Sequence, residues 1–320
     1  MGFFSSIGSA IGSAISSVGS AIGRIASGIA SAVSGAISTI GNLASKAISG
    51  FLGSIAGKAF GLLKGLSGIM TGPLGPILGP IIVDLLVKLV VKVISKIAEE
   101  NEVVEKNEKP EEIGYRLEEA EKHEDWKKRD DFKSFKEYYA YLKEQIPAEE
   151  IDTLQLQKNI GMYSVLGMQA EVSALEEKFG LRIPKTTLIE IGRTAMEVKE
   201  VQAFIRAFDE LGYKNLNISE YLKGTLPAGE LERITAALLD SLKFYFPEKS
   251  EPDLLTRLNE MRKVSNSDDK VLVSVYKDDL QKEYGAELQQ ARQNGELSED
   301  TEKILDDAKI NDTPKVEATS

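Results

Sequence analysis

Residues 7–40 read "IGSAIGSAISSVGSAIGRIASGIASAVSGAISTI". Large apolar residues stand at Ile7, Ile11, Ile15, Val18, Ile22, Ile25, Ile29, Val33, Ile37 and Ile40. Their mean spacing is about 3.67 residues, which is helical and closer to an eleven-residue repeat than to a heptad. Nearly every other position is Gly, Ser or Ala. An interior Gly costs a helix about 1 kcal/mol against Ala, so a helix here is weak alone and needs a partner along its stripe. The stripe continues through Leu43, Ile48, Phe51, Leu52, Ile55, Phe60, Leu63, Leu66 and Ile69. Unbroken over 1–70, the helix would be roughly 100 Å long.

The small residues keep their own register. Gly8 and Gly12, Gly19 and Gly23, and above all Gly53, Gly57, Gly61 and Gly65 recur at four-residue steps. Such a ridge predicts close helix–helix packing between copies of the chain. Residues 1–23 and 25–45 are uncharged and long enough to span a bilayer. Their Ser and Gly content makes them marginal for insertion, and suits them to an oligomeric wall. In it, Ile and Val face lipid or neighbours.

Residues 71–80, "TGPLGPILGP", carry Gly72-Pro73, Gly75-Pro76 and Gly79-Pro80. Three Gly-Pro pairs predict a hinge rather than a continuous helix. Residues 81–100, "IIVDLLVKLVVKVISKIAEE", read as a second, apolar helix with Asp84, Lys88, Lys92 and Lys96 in one narrow stripe. So wide an apolar face is buried in a bundle, or lies in a membrane interface with Lys88, Lys92 and Lys96 snorkelling. The polar run "ENEVVEKNEKPEE" marks the best domain boundary.

Downstream, almost every segment has helical periodicity with caps or proline starts. "DKVLVSVYKDD" alone opens as a β-like run. The expected fold is all-α. A long Gly/Ser/Ala-rich amphipathic helix (1–70) is followed by a Gly-Pro hinge (71–80) and an apolar helix (81–100). An acidic multi-helix domain (101–305) and a flexible tail (306–320) complete it.

Charge divides the same way. Residues 1–80 hold Arg24, Lys46, Lys58 and Lys64 and no acid. The chain totals −11, so with residues 81–100 neutral, 101–320 stand at −15. An acidic body does not coat nucleic acid, which takes clustered Lys and Arg.

The chemistry-bearing residues are sparse. There is no Cys, which removes disulfides, thiolate metal sites and Cys nucleophiles. His123 is the single histidine, so no site needs two imidazole ligands. Glu119, His123 and Glu124 lie close in sequence without a metal-binding spacing. Asn266 and Asp268 alternate as in a calcium loop, but Lys270 takes the next ligand position. "GSIAGKA" at 53–59 misses a phosphate loop by one residue, and has Ala59 where a hydroxyl is needed. Met1-Gly2 through Ser6 fits the bare myristoylation pattern, with a bulky Phe3 against it. A cleavable signal peptide fits poorly, because the first charge is Arg24 and the stripe runs past it. No enzyme, cofactor or metal is expected.

A Gly/Ala/Ser-rich N-terminus with a regular aliphatic stripe, joined to a soluble helical remainder, resembles the membrane-penetration and DNA ejection proteins that some viruses carry inside their virions. It is similar in character to microvirus DNA pilot proteins and podovirus ejection proteins. The likeness covers residues 1–100 and is compositional. It implies a virion protein whose N-terminal helices oligomerise into a conduit across the host cell envelope during genome delivery. Its partners would be itself, a lipid membrane and other virion proteins, with DNA only as passing cargo. A secreted glycine-zipper toxin or bacteriocin shares these features, and a non-membrane structural tube is the third alternative.

Overall fold

The computed structural model describes residues 21–46 and 50–310. The fold is all-α: the described residues form fifteen α-helices and no strands. Three helices come from the basic, apolar head: α1 (Ala21–Lys46), α2 (Phe51–Met70) and α3 (Gly75–Glu100). The acidic chain continues as α4 (Pro110–Ala120), α5 (Phe135–Gln145), α6 (Thr153–Lys158), α7 (Ile160–Phe179), α8 (Lys185–Arg193) and α9 (Val198–Glu210). It ends with α10 (Ile218–Lys223), α11 (Ala228–Tyr245), α12 (Glu251–Ser265), α13 (Val271–Val275), α14 (Lys277–Gln293) and α15 (Glu299–Asp307).

The single 1–70 helix is corrected. α1 and α2 are separate helices that fold back on each other, with the Phe60 ring 3.2 Å from where a Cβ on Gly41 would sit. Gly50 precedes α2 at φ +135, a conformation closed to ordinary L-residues, and so ends any continuous helix. Folding back lets two weak helices bury their stripes against each other.

The hinge also differs from expectation. Only Thr71–Leu74 lie between helices. Pro76 occupies the first turn of α3, where the missing N–H has no acceptor to lose. Pro80 is inside the helix. Gly79 has another task, since a Cβ there would stand 2.6 Å from the Met70 carbonyl oxygen. That glycine lets the start of α3 lie against the end of α2.

α3 is not a separate segment joined to the body. It is the axis of one continuous core, packed by α1 and α2 on one side and by α7, α8 and α9 on the other. Sixteen of its residues are buried, which accounts for its nearly unbroken Ile, Val and Leu. The boundary drawn at 100 therefore divides sequence character, not packing. At the far end, Ala308 and Ile310 are buried beyond α15, so the part of the 306–320 tail that is described belongs to the core. Residues 311–320 lie outside the described residues.

The tightest helix crossing joins α4 and α7 in the body. A Cβ on Gly114 would fall 2.0 Å from the Tyr163 carbonyl oxygen, and one on Gly167 would fall 1.8 Å from that of Pro110. The two backbones touch, and only glycine permits it. Gly192 similarly admits Leu86 of α3 to the backbone of α8, with Cδ2 at 2.4 Å from a Cβ position.

Local signals explain most remaining boundaries. Ser134, Asp152, Ser250 and Ser298 accept backbone N–H groups at the starts of α5, α6, α12 and α15. Gly180, Gly212 and Gly224 follow helix ends at φ +60, +74 and +68. The β-like Val271–Val275 run is helical, as α13. It buries Leu272 and Val273, and tertiary packing overrides its propensity.

Candidate functional site

The candidate site is the N-terminal hairpin and its seat on the body. α1 turns Ile22, Ile29, Val33 and Ile40 fully inward, with Ile25 and Ile37 half-buried beside them. Their covers are α2, α3, α7 and α14 of the same chain. Full burial of each is worth about 1.5–3 kcal/mol, so the stripe holds the helix down. Ile7, Ile11, Ile15 and Val18 lie outside the described residues, as do Gly8, Gly12 and Gly19.

The opposite face of α1 is exposed and holds no large apolar side chain. It presents Ser27, Ser31, Ser34, Gly35, Ser38, Thr39, Asn42 and Ser45. Ala21–Ser45 is the one described helix long and apolar enough to cross a membrane, with a mean hydropathy of 1.2. Arg24 is its only charge.

The ridge on α2 lies in an unexpected place. Gly57 is exposed, with open space where a Cβ would be. Gly53 and Gly61 are half-buried, and a Cβ on Gly61 would make ordinary contact with Lys185 at 3.6 Å. Gly65 is the tight one, with Ile189 Cδ1 at 2.8 Å. The C-terminal half of the ridge thus meets α8 of the same chain. Gly23, on α1, is half-buried.

Polar contacts also tie α2 to the body. Lys58 of α2 donates to Glu176 (2.5 Å) and Ser173 (3.0 Å) of α7. Arg129 stacks over the Phe51 ring at 6.0 Å while pairing with Glu177 at 2.6 Å. Lys58 and Glu177 are partly solvated, so each tie contributes at most about 1 kcal/mol. Apolar burial, not charge, decides the seat.

The stripe on α3 is corrected at Lys88. Rather than snorkelling, it turns inward to Asp84 (2.7 Å) and to Glu283 of α14 (2.6 Å). Tyr284 donates to the same Asp84 carboxylate at 2.6 Å. Asp84 is fully buried and its Oδ1 has no partner. Burial pushes its carboxyl above the usual carboxylate range, against the pull of Lys88 and Tyr284. Burial works to lower the Lys88 ammonium, but Asp84 and Glu283 outweigh it and leave it raised. Lys92 is exposed, and Lys96 pairs with Glu99 at 3.3 Å.

Sequence reasoning missed a second buried acid. Glu171 of α7 is fully enclosed and accepts a hydrogen bond from Ser95 of α3 at 2.6 Å. Burial raises its carboxyl to about 8, so it is a neutral acid near pH 7. The available signal was one Glu within the apolar run "MYSVLGMQAEVSAL". Tyr284, the partner of Asp84, is 200 residues distant and carried no such signal.

Among the described residues no group of three His, Cys, Asp or Glu is placed to hold a metal ion. His123 stacks on Trp126 with ring centroids 4.1 Å apart. The geometry defines an all-α protein whose amphipathic N-terminal hairpin is seated on an acidic helical body. No protein-family model, curated protein or solved structure matches the chain.

Proposed function

We propose that this is a virion protein that penetrates the host membrane during genome delivery, with α1 as the membrane-active element. The observation that carries the reading is the two-faced build of α1. Its Ile stripe is covered by the chain's own helices, and its outer face carries no charge between Arg24 and Ser45. At about 1.5 Å per residue, its 25-residue Ala21–Ser45 stretch exceeds the roughly 30 Å of a bilayer core. Moved from body to lipid, the same stripe loses no apolar contact. Ser and Gly on the other face then suit helix–helix packing between copies. The −15 of residues 101–320 keeps the carrier soluble, and lines a passage that repels DNA rather than binding it.

Dye release from vesicles, with the full chain, tests the membrane step. Release that is lost on Ile29→Asp/Val33→Asp supports it. No lipid binding and no release at any vesicle composition overturns it. Mass spectrometry of purified particles tests the virion assignment, which absence from virions would remove, leaving a secreted pore former.

A second reading has its own support. The burial of Ile22, Ile29, Val33 and Ile40 also suits a soluble structural protein whose head is simply the spine of its core. The vesicle experiment separates the two.

A further inference from the structure

The residue before α2, Gly50, has a backbone that glycine alone adopts readily, at φ +135 and ψ 175. Open space surrounds it, and a Cβ there would meet nothing within 4 Å. Its conformation is therefore set by the path of the chain from α1 into α2, not by packing on the residue itself. Its carbonyl already belongs to α2, accepting from the Ser54 N–H at 3.3 Å. Rotation about Gly50 ahead of that carbonyl turns the chain on the α1 side and leaves α2 where it is.

The next residue is pinned. The Phe51 ring lies 5.8 Å from that of Phe135 and 6.2 Å from that of Tyr138, edge-on to the latter. Both partners are buried residues of α5. The Arg129 guanidinium covers Phe51 from the connection between α4 and α5. It is itself held by the Phe132 carbonyl at 2.9 Å and by Glu177 of α7. Further along α2, Lys58 is tied to α7, and Gly65 lies against Ile189 of α8. α2 is thus fastened to body helices at its start, its middle and toward its end. α1 is held through its Ile stripe, with its outer face exposed.

We infer that Gly50 is the hinge, and Phe51 the anchor, of an opening in which α1 swings off the body while α2 stays in place. A hinge is a terminal residue of an element that absorbs a large backbone change, and an uncrowded glycine beside a pinned aromatic has that build. Such an opening bares Ile22, Ile29, Val33 and Ile40 together and leaves the body folded. The inference rests on the membrane reading for the use of this motion, and names which half of the hairpin moves.

Hydrogen exchange of the full chain in lipid-free buffer tests it, so that the outcome does not depend on any membrane. Gly50→Ala clashes with nothing but strains the closed turn. α1 should then exchange at least about fivefold faster, and α2 should change by a smaller factor. Phe51→Ala removes the anchor, and the first turns of α2 should exchange at least about tenfold faster. Slow exchange retained in α3 shows that each variant is folded. Unchanged exchange of α1 in Gly50→Ala overturns the hinge. Equal acceleration of α1 and α2 in that variant overturns it too, because the hairpin would then lift as one body. First turns of α2 left unchanged in Phe51→Ala overturn the anchor. Absence of dye release from vesicles, with these exchange results in hand, removes the membrane reading and leaves the hinge standing.

Discussion

The glycines of the head and those of the body are opposite cases. The head has the pattern: Gly53, Gly57, Gly61 and Gly65 form a regular ridge, yet Gly57 faces open space. The body has no pattern: Gly114 and Gly167 are isolated, yet their backbones touch Tyr163 and Pro110. Within one chain, a small residue matters where a second backbone arrives, not where small residues recur. The ridge leaves Gly57 open to water, and only its C-terminal half, at Gly61 and Gly65, meets α8. The single pair in α4 and α7 makes the closest approach in the described structure.

The largest effect expected follows from that crossing. Gly167→Ala drives a Cβ into a carbonyl oxygen, and should cost at least about 4 kcal/mol or prevent folding, as read by urea denaturation. Gly57→Ala should instead stabilise α2 by up to about 1 kcal/mol, through helix propensity alone. If Gly57→Ala proved the more damaging, the contrast between the two regions would be reversed.

Next in size is the buried charge on α3. Lys88→Met strands Asp84 without its cation, and should cost about 3 kcal/mol. The double variant Asp84→Leu/Lys88→Met should recover most of that loss, because it removes the stranded charge as well. Failure to recover would mean that the network contributes more than its own charge balance.

A graded, pH-dependent effect belongs to Glu171. Its folded carboxyl titrates near 8 against an ordinary value of 4.5. Between those values the folded state keeps a proton that the unfolded chain has released, so stability falls as pH rises through that window. Its contribution is complete below about pH 4.5 and spent above about pH 8. Glu171→Gln keeps an acceptor for Ser95 and cannot ionise. It should gain on the natural protein as pH rises from 5 to 8, by at most about 1.4 kcal/mol per pH unit. Parallel urea melts across that range check it. Two proteins with the same pH profile would show that Glu171 is ionised in the fold.

Much of the helical fold was legible in the chain. The all-α class followed from periodicity, and Ser250 before "EPDLLTRLNEMRKV" or Gly212 after "FDEL" marked helix ends through local chemistry. What sequence could not supply was the partner. The stripe Ile22–Ile40 announced a buried face, but its covers on α7 and α14 are over a hundred residues away. The break at Thr194–Glu197 was likewise hidden, because Arg257 holds that turn from a distant helix. The Gly-Pro run looked like a long hinge because each proline taken alone breaks a helix. Two of its three prolines are inside α3.

The central contrast is between α1, which is held by one face, and α3, which has sixteen of its residues buried. Hydrogen exchange of the full chain, with and without anionic vesicles, tests it most directly. In solution the amides of α1 should exchange faster than those of α3. With vesicles, α1 should gain protection, α2 should lose part of its own as its cover leaves, and α3 should keep its slow exchange. Unchanged exchange in α1 and α2 with vesicles present would contradict a detachable head, and leave α1 as a fixed part of a soluble core.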